Sequence, residues 1–591
     1  MFRFFALLVW LGVCLGVSLG TSANAGRAAA LEFDVIVVGS EPEGIVAAVA
    51  AAEEGARTLL LSEDARLGGL FVLGAMNTLD LRPEPLVQRG LFERWWTRVG
   101  RGAAFDVARA EAIFEDLLEG AGVVVELGAA PLTPVVRGGR VVGVRAGNRT
   151  FFAAQTVDAT ADGDHAAAAG VPYTLGFASL GVEKRMADTL MFRVDGVNWA
   201  ALRWGVRARG PAYARVGEDA AWGRFGGVPG AYRAEEPELR LRGLNLGRQG
   251  DGSVWVNALL VYGVDPLGPA SVADGWRRAR LEAPRIVRYL RALPGFARAT
   301  YGGVADRLYL RESRHFATHC TLNVDDTLDN TVRPDDVAAG NYPLDVQSLT
   351  PADDGYVYGV PVVYGARLCV ALPKGPDDLW IVGKTAGYDP LSASSARVVP
   401  FGMALGEAVG VAAAGAAQAG VSARTFALGD AHVQTVRRRL QARGAYLPVV
   451  EARIPTGPVT HPHFEAYRTL RRKGLAVGGY DNDPRLDEVM PTRGFIRLLS
   501  HVGERFWRDD TLGGALTERF PDLYGPLTPA LAQTLTDVAS CQLRRCSGLA
   551  LPLLVTGDDL PDDLAQVLTR DVLTRGEAYE LAAALASAAR R

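Results

Sequence analysis

The stretch that most constrains the fold of this chain is Asp34–Glu63, close to the N-terminus. It begins with an apolar run, Val35–Val38, and a glycine-containing turn, Gly39–Gly44. An Ala/Val-rich segment then ends at Gly55, and a second apolar run follows at Thr58–Leu61. This order predicts a strand, a turn, a helix and a second strand. The turn of such a β-α-β unit is the place where the pyrophosphate of a dinucleotide binds.

The turn has the residues that this role needs, with one exception. Gly39 permits a sharp turn, Gly44 permits close packing of the helix on the strand, and free N–H groups at the start of the helix face the phosphates. Glu41 stands where the dinucleotide fingerprint has its middle glycine, so its carboxylate would face phosphate unless it points away. The alternative interpretation is an ordinary strand–helix turn in another kind of α/β protein.

The composition is that of a globular protein. Hydrophobic residues make up 49% and charged residues 22% of the 591 residues, which provides enough apolar side chains for a sizeable core. The net charge of −3 favours neither nucleic acid nor an anionic membrane surface as a partner. No cluster of Cys and His has the spacing of a zinc site, so the sequence predicts no metal site.

Residues 1–25 have the pattern of a secretory signal peptide. Arg3 supplies positive charge, Phe4–Leu19 is almost wholly apolar, and Ala23-Asn24-Ala25 is a small-x-small cleavage site. An uncleaved membrane anchor is the alternative, but the apolar run is short for a membrane span. We therefore expect export to a periplasmic, cell-wall-associated or extracellular location, with membrane contact only through the signal peptide and a mature chain that begins at Gly26.

The cysteines carry a separate expectation. Cys14 leaves with the signal peptide, and Cys541 and Cys546 are close enough in sequence to form a disulfide in an oxidising compartment. We expect Cys320 and Cys369 to be buried as small hydrophobic side chains.

Motifs beyond the first β-α-β unit point to a particular family. A Leu-Gly-Gly sequence with Gly68 and Gly69 follows the second strand, and a Gly-Gly hairpin, Val135–Val142, precedes the next motif. In order along the chain come DATADGDHAAAAGVPY (Asp158–Tyr173), RESRH (Arg311–His315), NYPLDVQ (Asn341–Gln347), LPKGPDDLWIVGK (Leu372–Lys384) and SSARVVPFGMALGEAVG (Ser394–Gly410). Together these motifs resemble the FAD-dependent oxidoreductases related to the fumarate reductase flavoproteins. The resemblance covers about residues 31–420.

The resemblance implies an α/β fold: a Rossmann-like FAD-binding domain, an inserted α+β substrate domain and a mainly helical C-terminal domain. With the signal peptide and the change of composition near Gly420, the expected boundaries are 1–25 for the signal peptide, 31–175 and 305–420 for the FAD-binding domain, 176–304 for the insertion and 421–591 for the C-terminal region. The resemblance also implies a small-molecule substrate. The Leu-Gly-Gly motif is followed by Leu70, Phe71 and Val72, so no histidine next to it can form a covalent bond to the flavin. We therefore expect FAD to be bound non-covalently.

The resemblance also assigns candidate FAD-binding residues. Ser62 stands where the family usually has its acidic ribose ligand, so either Glu63 or the Ser62 hydroxyl has to serve. A helix that starts near Pro400 directs its positive end at the flavin in the family. The full implied set is Gly39, Ser40, Glu41, Gly44, Ser62, Glu63, Gly68, Gly69, Asp162, Gly163, Asp164, Gly383, Ala404 and Leu405.

For the chemistry, the family transfers a hydride between a substrate carbon and flavin N5, and basic residues hold a carboxylate or donate a proton. Arg311, Ser313 and His315 would share one face of a strand, which makes Arg311 and His315 catalytic candidates. Arg397, just before the flavin-facing helix, is a third. The alternative for each arginine is a structural ion pair, for example with Glu312, and for His315 a core or surface position. The competing class is a cell-wall-attached binding or scaffold protein without catalysis.

The C-terminal region has a different character. Residues 461–502 resemble an S-layer homology module, with an aromatic-bearing helix, a Gly-Tyr-Asp turn and a Thr-Arg-Gly start of a second helix. Thr574-Arg575-Gly576-Glu577 repeats that last motif. Such modules bind cell-wall polymers, which makes a cell-wall polymer a possible partner. A generic helical domain and a partner-binding lid are the alternatives.

Overall fold

A computed structural model describes residues 32–82, 84–449, 457–520, 525–544 and 571–589. The expected signal peptide, its cleavage site and Cys546 lie outside these residues.

The first sheet is built around the buried strand Phe33–Val38. This strand pairs in parallel with Thr58–Leu61 on one side and with Arg149–Asp158 on the other, in the registers Val35↔Thr58 and Val35↔Gln155. Four further strands complete this sheet of seven: Val124–Glu126 beside Thr58–Leu61, the antiparallel hairpin Leu132–Arg137 and Arg140–Ala146, and Leu379–Ile381 in parallel with Arg149–Asp158. The predicted β-α-β unit and the α/β fold class are therefore confirmed.

Two long apolar helices pack closely on this sheet. The helix Pro42–Glu53 lies against Val399–Ala419, and a Cβ at Gly406 or Gly410 would overlap the backbone of the first helix. Val399–Ala419 is long and apolar enough to cross a membrane, but 94% of its most apolar window is buried inside the protein, as in a core helix. Other helices of this part are Gly69–Val72, Leu91–Val99, Val107–Ala121, Asp164–Ala168, Val324–Leu328, Pro390–Ala396, Ala423–Ala427 and Asp430–Ala442.

Short paired strands and single helical turns fill in this part of the chain. The strand pairs are Tyr173–Leu175 with Arg314–Phe316, Asp336–Gly340 with Tyr364–Arg367, and Asp345–Val346 with Tyr356–Val357. The single 3₁₀ turns are Ala178–Leu180, Leu368–Ala371 and Gly383–Thr385.

A second, antiparallel sheet has its own apolar core. Its spatial order is Thr300–Val304, Asp188–Asp195, Val254–Val261, Leu239–Arg248, Ala220–Gly223 and Arg215–Val216. Leu190, Phe192 and Leu244 on the strands pack with Ile286 and Leu290 of the helix Pro269–Leu290. The remaining helices of this part are Trp199–Arg209, the 3₁₀ turn Phe225–Gly227 and Val228–Ala231.

The C-terminal part is helical and has a third core. Phe495, Leu499 and Leu535 are fully buried in it. Thr574 and Glu577 form a capping box at the start of the last described helix, which satisfies two backbone N–H groups. The helical segments are Phe464–Arg471, Thr492–Val502, the π turn Gly503–Trp507, Leu512–Arg519, Pro529–Arg544 and Arg575–Ala588.

A buried ion cluster joins the C-terminal part to the first. Arg471 is fully buried, and its Nη2 lies 2.5 Å from Asp325 Oδ1 and 2.8 Å from Asp329 Oδ1. Arg468 pairs with Asp329 at 2.7 Å, and the more exposed Arg472 pairs with Asp325. A buried charge is tolerated only when it is paired, so the two parts depend on each other here.

The cysteine expectation is wrong for one pair. Cys320 and Cys369 form a disulfide, with their Cα atoms 5.3 Å apart. The bridge Thr318↔Pro373 holds the two segments side by side, although they are 49 residues apart in sequence. Such a pairing depends on the folded backbone and leaves no trace in cysteine spacing. The expected pairing of Cys541 with Cys546 involves a residue outside the described part.

Candidate active site

One cavity connects the glycine turn to the predicted catalytic arginines Arg311 and Arg397. Its wall includes Glu41 and Glu43 from the turn, Ala159–Asp162 after the strand Arg149–Asp158, and residues 307–311 from the segment that leaves the second sheet. Residues 382–384, Arg397 and Val399 complete the wall. The carboxyl ends of parallel strands thus meet the helix starts, which is where α/β folds bind ligands.

The outer glycines of the turn are required by close contacts. Gly39 has φ +108°, and a Cβ there would overlap the carbonyl oxygen of Ala159. A Cβ at Gly44 would lie 2.5 Å from that of Ala159. The helix therefore starts directly against the neighbouring strand end, as the motif predicts. Glu41 is the N-cap and no side chain caps the helix, so the first N–H groups stay available to an anion.

Glu41 points sideways, along the wall of the cavity. Its carboxylate accepts a hydrogen bond from Leu70 N at 2.8 Å and pairs with Arg307, which also lies 3.2 Å from Asp64. Gly69 has φ +37°, and a Cβ there would overlap the Glu41 carboxylate. Gly69 thus makes room for the unusual glutamate, and Arg307 neutralises it.

The expected ribose ligands have other partners. Ser62 Oγ donates to Ser40 Oγ at 2.9 Å, and Glu63 accepts from Leu132 N at 2.7 Å. The acid beside the turn is instead Asp64, one residue further on, which faces Arg307 and Glu41. Burial raises the pKa of Asp64, and Arg307 opposes that rise. The sequence did not identify Asp64 as the acid beside the turn, because the order Ser-Glu-Asp does not show which of the three side chains faces Glu41 and Arg307.

The acidic motif Asp162-Gly163-Asp164 follows the strand Arg149–Asp158, and of its three residues only Asp162 lines the cavity. Asp162 Oδ1 lies 2.9 Å from Lys384 Nζ, and although burial raises the pKa of Asp162, Lys384 holds it below the ordinary value. Gly163 has φ +70°, and a Cβ there would overlap Phe316. Asp164 faces outward and pairs with Arg314 at 2.7 Å.

The two remaining flavin candidates lie along the helix that ends the motif series. The helix starts at Val399, and Val399 is the residue that lines the cavity. Leu405 is fully buried in the core, and Ala404 packs against that core. Both therefore lie more than one helical turn beyond Val399. Gly383, with φ +82°, and Gly68, with φ +88°, hold left-handed backbone positions that favour glycine.

Two arginines, Arg311 and Arg397, line the far end of the cavity, and a third lies near Arg311. Arg397 donates to the Tyr309 hydroxyl at 2.5 Å and to the Asp345 carbonyl at 3.2 Å. Arg311 lies over the Tyr309 ring, 4.6 Å from its centroid. Arg242, on the strand Leu239–Arg248 of the second sheet, is close enough to lower the pKa of Arg311. Arg242 and Tyr309 were not found from the sequence, because neither lies in a recognised motif.

The cluster keeps an excess of positive charge. Burial, together with the like charges of Arg242 and Arg397, lowers the pKa of Arg311 to about 10, so Arg311 stays charged at neutral pH. Burial also raises the pKa of Asp188 to about 7 and that of Asp80 above its ordinary value. Because their raised pKa values reduce the negative charge of these two acids, they neutralise the arginines only in part, and the site favours an anionic ligand.

His315 does not share a face with Arg311. Only Arg314–Phe316 is strand, so the predicted alternation does not extend back to Arg311 and Ser313. His315 is buried outside the cavity wall, and its Nε2 lies 3.1 Å from Glu312 Oε1. Glu312 in turn accepts from Met186 N at 3.1 Å. The predicted shared strand face is therefore wrong, and proton transfer by His315 stays a prediction.

The cavity fits a dinucleotide such as FAD. It combines an uncapped helix start, the glycines Gly39 and Gly44 that let this start lie directly against the strand end at Ala159, and, in its wall, a buried Glu43 Oε2 without a hydrogen-bond partner among the described residues. Buried polar groups are normally satisfied, so this atom marks the place of a polar ligand.

Comparison with solved structures finds many matches at low similarity. A geranylgeranyl bacteriochlorophyll reductase-like protein from Thermoplasma acidophilum is 14% identical. The match covers 70% of this chain and 83% of that protein, with a TM-score of 0.30. The p-nitrophenol 4-monooxygenase PnpA from Pseudomonas putida is 11% identical, with coverages of 71% and 90% and a TM-score of 0.35. The myxobacterial chondrochloren halogenase CndH is 15% identical. The match covers 75% of this chain and 91% of CndH, with a TM-score of 0.32. These likenesses carry no inference about the substrate.

The comparison with curated proteins finds no match. The profile of the FAD dependent oxidoreductase family matches residues 34–440. The matched segment includes the glycine turn, the acidic motif, the three arginines and the helix Val399–Ala419. It spans more than half of the chain, and this protein therefore belongs to the FAD dependent oxidoreductase family.

Proposed function

We propose that this FAD-dependent oxidoreductase transfers a hydride between a small organic anion and flavin N5, as in enzymes related to the fumarate reductase flavoproteins. Bound FAD supplies the two-electron chemistry. The observation that carries the proposal is that Arg311 and Arg397 both contact Tyr309 in the wall of the cavity that also includes the dinucleotide turn, with Arg242 close enough to Arg311 to lower its pKa. Guanidinium groups bind carboxylates with good geometry and keep their charge at any working pH.

Within this proposal the residues have separate roles. Arg311 and Arg397 anchor the anion, and the buried surroundings exclude water and strengthen the ion pairs. The Tyr309 hydroxyl accepts from Arg397 and keeps its own proton free for transfer to or from the substrate. Tyr309 thus takes the proton role that the sequence assigned to His315. The competing interpretation, a scaffold protein without catalysis, is not favoured by membership in an oxidoreductase family.

Anaerobic stopped-flow absorption tests the proposal. The oxidised enzyme is mixed with a panel of 2-hydroxy acids, saturated dicarboxylates and amino acids, and the photoreduced enzyme with the matching keto and unsaturated acids. We expect at least one acid to change the flavin spectrum, and its methyl ester to fail. Equal rates for acid and ester would contradict the anion site. A flavin that dithionite bleaches but no acid of either panel affects would contradict this substrate class.

We further propose that the protein is exported. The signal-like residues 1–25 suggest it, and the Cys320–Cys369 disulfide supports it, because such bonds persist in oxidising compartments and are rare in the cytosol. Edman sequencing of the protein from its native host is expected to begin at Gly26. A protein that retains residues 1–25 and fractionates with the cytosol would contradict export.

A second proposal concerns the C-terminal region, which we infer binds a cell-wall polymer. A cleft lies between this region and the strand Tyr356–Val357, and Arg497, Arg505 and Arg575 line it together with Tyr356 and Tyr579. Aromatic and cationic side chains suit an anionic saccharide. In a pull-down with purified cell wall, Arg497→Ala combined with Arg575→Ala is expected to reduce retention. A matched double variant outside the cleft, Arg203→Ala with Arg277→Ala, controls for net charge; equal retention of both variants with the wild type would count against the proposal.

A further inference from the structure

Glu43 is the second residue of the first helix, and it is a buried carboxyl in the cofactor cavity that no motif singled out. It is only 5% exposed, and its Oε2 has no hydrogen-bond partner among the residues that the structure describes. The cavity wall includes Glu43 together with Gly383, Lys384 and Asp162. A buried acid with a free oxygen directed at a ligand cavity is costly unless something binds it.

The surrounding backbone is shaped around this side chain. A Cβ at Gly402, in the first turn of the helix Val399–Ala419, would lie 2.6 Å from Glu43 Oε1. A Cβ at Gly383 would lie 3.8 Å from the same oxygen. Glu43 therefore occupies a fitted space between two elements that also border the cavity, and its position does not result from chance packing.

The charges that face Glu43 favour its neutral form. Burial raises its pKa to about 8, and the like charge of Glu41 adds to the rise, while the Glu43 backbone N–H and Lys384 oppose it. Lys384 is itself paired with Asp162, and Glu41 with Arg307. The fifth group nearby is the buried Tyr388 hydroxyl, whose pKa lies well above its ordinary value because of burial. At neutral pH Glu43 is thus a carboxylic acid with a proton to donate.

We propose that Glu43 is a cofactor-positioning residue that donates a hydrogen bond from its protonated carboxyl to an oxygen of bound FAD. FAD carries acceptor oxygens and negative charge on its pyrophosphate. A neutral carboxyl satisfies such an acceptor, whereas a carboxylate repels it. Loss of the proton from Glu43 consequently weakens FAD binding.

The pH dependence of FAD retention tests this assignment without any substrate. The holoenzyme is diluted into buffers from pH 6 to 9, and free FAD fluorescence at equilibrium gives Kd. Below pH 8 Glu43 keeps its proton, and Kd is expected to be constant. Above pH 8 the free protein loses the proton that binding requires, so Kd is expected to rise about tenfold for each pH unit. Removing the like charge with Glu41→Gln should move the onset to lower pH.

Two variants of Glu43 separate donation from packing. Glu43→Gln keeps the size and a donor but cannot ionise, so it is expected to bind FAD with a flat profile up to pH 9. Glu43→Ala lacks the donor and should raise Kd at pH 7 by about 10–100-fold, with circular dichroism confirming its fold. A flat wild-type profile, an alkaline rise retained in Glu43→Gln, or a folded Glu43→Ala that binds FAD like the wild type would each overturn the assignment.

Discussion

Replacing Tyr309 by Phe is expected to slow flavin reduction by the substrate by about 10²–10⁴-fold, the usual cost of losing a general acid or base. The change removes the hydroxyl that accepts from Arg397 and leaves the ring under Arg311 in place. FAD content should therefore stay at the wild-type level. The measurement is the limiting rate of flavin reduction at saturating substrate, which separates proton transfer from binding.

Two companion variants make this prediction specific. Arg397→Lys keeps the charge but loses the planar fork, so it should raise KM more than it lowers kcat. His315→Gln should leave the reduction rate near that of the wild type, because His315 pairs with Glu312 away from the cavity wall. A fast Tyr309→Phe enzyme together with a slow His315→Gln enzyme would reverse the assignment of the two residues.

The second large effect is expected for Arg471→Ala, which should destabilise the joint between the C-terminal part and the rest by about 3–5 kcal/mol, the usual cost of breaking a buried ion pair. The variant leaves Asp325 and Asp329 without their buried partner. Urea unfolding followed by tryptophan fluorescence, with limited proteolysis to detect release of a C-terminal fragment, measures the effect.

Arg472→Ala is the matched control for the same acid. Arg472 also pairs with Asp325, but its side chain is 47% exposed, so its loss is expected to cost less than about 1 kcal/mol. If the two variants unfold at the same urea concentration and release no fragment, the cluster is not what holds the C-terminal part in place.

Local patterns predicted the parts of this protein that depend on neighbours in sequence. The observed Phe33–Val38, Pro42–Glu53 and Thr58–Leu61 match the predicted strand, helix and strand, because apolar runs and glycines fix such elements locally. The α/β fold class and FAD as cofactor followed from several such motifs in order. The exact domain boundaries stay predictions.

Contacts between distant segments account for what the sequence could not give. From the sequence, the negative charge of Glu41 was expected to repel phosphate. Only the fold brings Arg307, 266 residues away, into contact with Glu41, where it neutralises that charge. Arg242 comes from the second sheet, and its proximity to Arg311 depends on how the sheets meet. The predicted shared face of Arg311 and His315 fails for a similar reason, since pairing of the strand with Tyr173–Leu175, and not alternation alone, decides where the His315 side chain lies.

The five residues from Arg307 to Arg311 have a consequence for engineering. Arg307 binds the glutamate of the dinucleotide turn, whereas Tyr309 and Arg311 belong to the proposed anion site, and backbone hydrogen bonds tie Tyr309 to Thr189 of the second sheet. If that proposal holds, a substitution that shifts this segment will change cofactor retention and substrate preference together. Attempts to evolve a new specificity should then leave the segment intact and start at Arg242, which lies near Arg311 on a separate strand.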